Sequence, residues 1–391
     1  MLKILTLNQI AIEGLERFPR ERYELGTEIS DPDAILVRSQ VLRPEHAKRR
    51  LRAVARAGAG VNNVPVDAFT ERGIVVFNTP GANANAVKEI VIAAMLLAAR
   101  DVAGGIQFLR TLDGTVDPAA LHRLVEGEKK RFRGGEIAGK TLGVVGLGAI
   151  GARVAEIALR LGMRVLGYDP AISVDAAWRL PAEVERMENL PTLLARSDYV
   201  TLHVPALAET RHMIDDQALA GIRPGAVLLN FARDEIVDPQ AVIAALDAGR
   251  LRRYVTDFPA AALLGRSDVL MTPHLGASTA EAEQNCAVMA AEQLIDFLEH
   301  GNIRHSVNFP TVSLERTGGH RIAVTNRNVP KMLGQVLAVL ADQNLNIIDM
   351  LNKSRDGIAY NLIDVESAPT ARVIEQLWGI EGVVNVHDFA D

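Results

Sequence analysis

The sequence predicts an α/β protein: two Rossmann-like, doubly wound parallel-sheet domains followed by a smaller ferredoxin-like βαββαβ unit. Three observations carry that prediction. Short aliphatic runs alternate with helical stretches from Met1 to Met271, the rhythm of buried parallel sheets. Within that rhythm Gly146, Gly148 and Gly151 make a G-x-G-x-x-G spacing between an apolar run and a helical stretch. Beyond residue 320 the order changes to strand, helix, strand, strand, helix, strand.

The chain has 391 residues, more than one core of ~250 to 300 residues supports, so we expect three domains: 1–85 with 276–312, 86–275, and 320–391. A composition of 48% hydrophobic but only 4% aromatic residues suits aliphatic parallel strands. The formal charge of −6 gives no polyanion footprint, which argues against nucleic acid. The one cysteine, Cys286, shares an apolar helix face with Met289, Ala290, Leu294 and Phe297 and reads as core. No apolar run is long enough to span a membrane and no leader precedes the first strand, so the expected setting is cytoplasmic. No His, Cys or Glu spacing suggests a metal site.

In the first domain the runs are Lys3–Leu7, Ala34–Val37, Leu51–Ala55 and Ile74–Phe77. Two of them end in corners where ligands of parallel sheets gather, Arg38-Ser39 and Gly58-Ala-Gly-Val-Asn-Asn63. The second corner reads either as a plain turn or as a nest of N–H groups for an anion. A helix follows, with Asn83 or Asn85 as its cap and Val87, Ile90, Val91, Ala94 and Leu97 as its apolar face. Residues 101–139 read as connector structure with one exposed helix.

In the second domain six strands are expected, near residues 142–145, 165–168, 199–204, 226–230, 254–256 and 269–271. Gly146 permits the turn, Gly148 lets backbone approach a pyrophosphate, and Gly151 lets helix pack on strand. Asp169 ends the next strand, where its carboxylate accepts from a ribose and repels the extra phosphate of NADP, so NAD is the expected cofactor. A long helix near 279–299 is expected to return the chain to the first domain, with it and the helix after Asn83 as hinge elements. A linker at 309–319 then leads to the last unit.

Three residues at strand ends carry reactive groups: Arg233, Asp257 and His274. An arginine clamps a carboxylate bidentately, a histidine takes the proton of a hydroxyl as hydride leaves carbon, and a neighbouring carboxylate orients the imidazole. The trio suits oxidation of a 2-hydroxy acid. Each residue alone also reads as part of a strand-end ion pair. His203 and His212 are left as structural or adenine-side packing.

The runs Arg56–Asn63, Pro80–Glu89, Gly146–Gly151, Pro224–Asp238 and Thr272–Ser278 together resemble the D-isomer-specific 2-hydroxyacid dehydrogenases. Thr325–Pro330 and Leu345–Ile347 make the last unit similar to an ACT regulatory domain. The resemblance implies an NAD-dependent oxidoreductase with Arg233 as substrate clamp and His274 as general acid/base. It places Ala149, Ile150, Asp169, Phe231, Ala232, Arg233, Asp257, His274 and Ala277 around NAD. It turns Arg38, Ser39, Gly58, Ala59, Gly60, Val61 and Asn83 toward a small phosphorylated hydroxy acid. It also implies L-serine or another amino acid as effector near Asn326, Asn328 and Asn346, and a homodimer or homotetramer.

Two departures from the family stand out. The family's glutamate partner of the histidine falls in Pro259-Ala-Ala-Ala-Leu-Leu264, at Ala262 on an ungapped reading. Either Asp257 takes over its role, Asp268 folds in, or the imidazole lacks a partner and activity is low. Asp234 stands where a glycine is usual, and its side chain is expected to point away. Glyoxylate, hydroxypyruvate and 2-oxoglutarate are alternative substrates, and a non-catalytic NAD-sensing scaffold is the alternative from another class.

Overall fold

The computed structural model describes residues 1–389 other than 113, 115, 116 and 317. Position 317 of the expected linker and the last two residues of the expected third domain therefore lie outside the described residues. Contacts divide the chain into two compact units, 1–83 with 280–391 and 84–279.

The first unit holds a parallel sheet of β1 (Leu2–Leu7), β2 (Tyr23–Gly26), β3 (Ala34–Val37), β4 (Ala53–Arg56) and β5 (Val75–Phe77) in the order β2-β1-β3-β4-β5. β2 carries no strand pattern in the sequence, because Tyr-Glu-Leu-Gly is short and mixed in polarity, as an edge strand can be. Ile35, Val37, Val54, Val76 and Phe69 fill one face of this sheet. Ile4, Leu36, Ala55 and Phe77 on the other meet the long helix of Ala280–His300 through Cys286, Ala290, Leu294 and Phe297. Cys286 is buried there, as its apolar setting predicts, and burial pushes its thiol up.

The last part of the first unit is βαββαβ: β13 (His320–Arg327), a helix Met332–Asp342, β14 (Ile347–Arg355), β15 (Ile358–Val365), a helix Ala371–Trp378, and β16 (Val383–Phe389). The strands are antiparallel in the order β14-β15-β13-β16. Ile322, Val324, Ile363 and Val365 on one face pack under the two helices. Ala323, Tyr360, Leu362 and Phe389 on the other enter the same core as Ile4, Phe77 and Phe297. That shared core is why contacts join residues 320–389 to the first sheet, where the sequence reading expects a separate third domain.

The second unit holds β6 (Thr141–Val145), β7 (Arg164–Tyr168), β8 (Glu185–Arg186), β9 (Tyr199–Leu202), β10 (Ala226–Asn230), β11 (Leu251–Thr256) and β12 (Val269–Met271). All are parallel, in the order β12-β11-β10-β9-β6-β7-β8. Seven strands replace the six expected, since the two exposed polar residues of β8 carry no strand pattern. The helix Ala84–Ala99 buries Val87, Val91, Ala94, Met95 and Ala98 against Val154, Ala155 and Ala158 of the helix Ala149–Arg160. Leu97, expected on the buried face, is exposed, because the observed face turns toward Met95. Residues 101–128 hold two helices, Val102–Arg110 and Pro118–Glu128, rather than one. Asp101 caps the first through Gly104 N–H at 3.2 Å, so Gly104 and Gly105, in a stretch expected to be connector structure, lie inside a helix.

Candidate active site

In the second unit, the carboxyl ends of five parallel strands deliver the cofactor corner and the reactive trio to one edge of the sheet. Gly146 follows β6 with φ +90°, a backbone that favours glycine, and a Cβ there would meet the His203 carbonyl oxygen at 2.6 Å. A Cβ on Gly151 would lie 1.9 Å from the Gly146 oxygen, so the helix of Ala149–Arg160 sits hard against the turn. A Cβ on Gly148 meets nothing within 4 Å, which leaves the backbone open to a pyrophosphate. Ala149 and Ile150 follow in the first helical turn, where N–H groups have no intrahelical acceptor and attract an anion. The three glycines and the helix start thus fit a dinucleotide.

Asp169 accepts from Leu147 N–H at 2.8 Å and from Ala171 N–H at 3.0 Å. Those bonds fix the carboxylate at the end of β7, and each oxygen keeps a lone pair for a ribose hydroxyl. His203 abuts the same turn. Its Nε2 shares a 2.9 Å hydrogen bond with Thr201, and its Nδ1 is buried with no partner among the described residues. Burial lowers its pKa to about 3, so the ring is neutral.

After β10 the side chain of Asn230 pins the next turn, donating to the Arg233 carbonyl at 2.8 Å and accepting from Ala232 N–H at 3.1 Å. Phe231 and Ala232 are buried beside it. Arg233 Nη1 donates to the Ala232 carbonyl at 2.6 Å and has no carboxylate partner among the described residues. Asp234 is exposed, at the start of a short 3-10 turn, and forms no ion pair with Arg233.

Asp257 follows β11 and is 1% exposed. Its carboxylate accepts from the Thr272 hydroxyl at 2.6 Å, Leu275 N–H at 2.7 Å and Gly276 N–H at 2.6 Å. Its carbonyl accepts from His274 N–H at 3.0 Å. Both oxygens are thus committed to the loop after β12, and Asp257 acts as the post on which that loop is hung.

His274 rides on this loop with φ +55° and an exposed ring. Phe258 meets the imidazole edge to face at 5.1 Å. No carboxylate hydrogen-bonds to that ring among the described residues. Asp268 is taken by Arg266 at 2.8 Å, and Ala261–Leu263 forms a 3-10 turn. Ala277 packs against the core that contains Val87.

The first unit carries the other expected group. Arg38 follows β3 and pairs with Glu283 at 2.6 Å. Asn8, with φ +68°, holds the adjoining turn by accepting from Ser39 N–H at 2.9 Å and Gln40 N–H at 2.6 Å. The N–H groups of Ala59, Gly60 and Val61 donate to no protein acceptor among the described residues. Unpaired N–H groups of this kind are what an anion nest offers, and a solvated turn leaves them unpaired as well. Asn83 Oδ1 is buried and likewise without a partner there.

Two residues that frame these corners escaped the sequence reading. Asn8 is one. The other is Arg56, whose Nε donates to the Arg38 carbonyl at 3.0 Å and whose guanidinium occupies the space a Cβ on Gly58 would take. The Arg56-Ala-Gly run at the end of β4 was the available signal.

Residues 92–276 match the NAD binding domain of D-isomer specific 2-hydroxyacid dehydrogenases. A D-3-phosphoglycerate dehydrogenase of Methanocaldococcus jannaschii is 34% identical over 372 residues, covering 90% of this chain and 67% of the relative. The chain belongs to the D-isomer specific 2-hydroxyacid dehydrogenase family. One from Haemophilus influenzae is 33% identical, over 92% of this chain and 87% of its own length. Of other curated relatives the chain spans little more than half, 54% and 56%. Among solved structures, NAD+-bound 3-phosphoglycerate dehydrogenase of Entamoeba histolytica superposes with a TM-score of 0.63 at 27% identity, covering 78% of this chain and all but 2% of that one. The second unit is therefore the family's NAD-binding domain, and NAD is its cofactor.

The expected effector residues fall apart within one chain. Asn326 is buried in β13, accepting from Asn361 at 2.7 Å, and Asn328 donates to the Asp356 carbonyl at 3.1 Å. Asn346 donates to Glu366 at 2.7 Å. It precedes β14, whose first residue is level with Val365 and His320, whereas Asn326 is level with Ala359. Asn346 thus lies at the opposite end of the sheet.

Proposed function

We propose that the chain interconverts 3-phospho-D-glycerate and 3-phosphohydroxypyruvate with NAD, the entry step of L-serine synthesis, in the cytoplasm. The observation that carries the reading is the delivery of a guanidinium with no carboxylate partner among the described residues, Arg233, and an exposed imidazole, His274, to the edge of the sheet that bears the dinucleotide turn. When bound, NAD accepts the hydride from the carbon bearing the hydroxyl.

Arg233 clamps the substrate carboxylate and polarises the carbonyl that forms. His274 removes the hydroxyl proton, and in the reverse direction returns it. Asp257 holds the loop that aims the imidazole, while Phe258 limits rotation of the ring. Arg38, Ser39, the Gly58–Val61 nest and Asn83 recognise the phosphate and carboxylate ends. An amino acid such as L-serine acts through the C-terminal sheet, and because Asn346 is remote from Asn326 within one chain, a second copy supplies one side of that site.

NADH oxidation by purified protein tests the reading, with 3-phosphohydroxypyruvate beside hydroxypyruvate and 2-oxoglutarate. Turnover should favour the phosphorylated acid. Arg38→Ala should raise its KM at least about tenfold, since a charged contact contributes about 1.5 to 3 kcal/mol, and leave that of hydroxypyruvate nearly unchanged. Equal use of all three acids would move the substrate to the unphosphorylated class. NADH binding without turnover would remove the catalytic reading.

A further inference from the structure

A cavity of about 490 Å³ lies in the first unit, where the βαββαβ part meets the first sheet. Its walls come from the loop before β4 (Ala47, Lys48, Arg49, Leu51), from Arg72 and Ile74 ahead of β5, and from Trp378, Val384 and Asn385. The seam beside it is close-packed. A Cβ on Gly73 would meet the Asn385 and Val384 side chains at 3.0 and 3.2 Å.

The charge in this cavity is one-sided. Three of its nine lining residues are cationic and none is acidic. Arg72 Nη1 donates to the Pro44 carbonyl at 2.8 Å, a bond that leaves its charge without a counter-ion among the described residues. Neither Lys48 nor Arg49 has a side-chain hydrogen bond or ion pair among the described residues. Their neighbour Arg50 shows the contrast, since Asp33 neutralises it at 3.0 Å. Lys48, Arg49 and Arg72 are exposed, and three like charges around one hollow raise a positive potential that attracts an anion, while Trp378 with Leu51 and Ile74 supplies an apolar wall on which its carbon skeleton can rest.

We propose that this cavity binds a small, multiply charged anion of phosphate or polycarboxylate type. Lys48, Arg49 and Arg72 supply the charge recognition and Trp378 one wall. Because the walls belong both to the first sheet and to the C-terminal helix and strand, the bound anion ties the two together. Asn326, Asn328 and Asn346 are not among the cavity's lining residues, and Asn326 pairs with Val383, next to the lining residue Val384.

The chain has two tryptophans, so Trp178→Phe leaves Trp378 as the sole indole reporter. Titrating this full-length protein with pyrophosphate and with citrate should give a saturable change in Trp378 emission and a binding heat, and the stronger of the two identifies the anion type. Lys48→Glu with Arg49→Glu should weaken binding at least tenfold with far-UV dichroism unchanged, and Arg72→Gln should weaken it less. Arg38→Ala should leave it unaltered. Absence of any response to either anion would overturn the proposal. So would binding indifferent to the Lys48 and Arg49 reversals, or binding lost in Arg38→Ala, which would place the anion in the Gly58–Val61 corner.

Discussion

The three glycines of the dinucleotide turn have three different physical reasons, and substitution separates them. Gly148→Ala adds a methyl group to open space, so the thermal midpoint should hardly move, while NADH affinity should fall at least about tenfold as the methyl occupies the pyrophosphate's approach. Gly151→Ala drives a methyl to 1.9 Å from the Gly146 oxygen, and both thermal stability and NADH binding should fall. Calorimetric unfolding beside NADH fluorescence titration reads both, and a stable Gly151→Ala protein with native affinity would contradict the packing argument. Asp257 carries a second lesson at this scale. Its type and position mark it as reactive, yet its oxygens face Thr272, Leu275 and Gly276, contacts that exist only once the loop after β12 has folded back.

At the level of elements, two buried polar features tie β13, β15 and β16 to the rest of the first unit. Arg321 and Asp364 are both fully buried and joined at 2.6 and 2.7 Å. The same guanidinium donates to the carbonyls of His300 and Leu314 at 3.0 Å. Asp364→Asn leaves that cation without its partner and should destabilise the protein by about 3 to 5 kcal/mol, read by urea unfolding. His387 in β16 lies between Phe297 and Phe389, with Nε2 lacking a partner among the described residues. Burial, aided by the charge of Arg52, lowers its pKa to about 3. The unfolded chain, with a pKa near 6.5, takes the proton first, so stability is full above about pH 6.5 and is lost as the pH falls toward 3. Between pH 7 and pH 5, His387→Leu should lose about 2 kcal/mol less stability than the parent chain. An identical acid dependence in both would show that the ring is not held neutral.

On the scale of the whole molecule, the exposed apolar residues of the two helices between 102 and 128 call for a cover. Val102, Ile106, Leu109, Leu121 and Leu124 are all exposed there. A homodimer through these helices is the assembly we expect, since an apolar surface of this kind marks an interaction site. Ile106→Glu with Leu109→Glu should convert the dimer to a monomer in size-exclusion chromatography with light scattering. An unchanged mass would move the interface elsewhere, for instance to the C-terminal sheets of a tetramer. Among the described residues no helix is long and apolar enough to cross a membrane.

Local patterns in the chain were enough to read the parallel sheets, the dinucleotide turn, the Arg233 and His274 corners and the βαββαβ order. Aliphatic runs, glycine spacing and strand-end chemistry are properties of short segments, and a short segment carries them wherever it folds. The strands β2 and β8 were not legible, because short edge strands need few apolar residues. Nor were the partners of Asp257 or the shared core that joins the C-terminal sheet to the first. Each of those depends on which distant segments meet, a matter decided by packing of the whole unit: Tyr360 reaches the Gly301 carbonyl at 2.8 Å only after the sheet has docked, and no spacing along the chain encodes that contact.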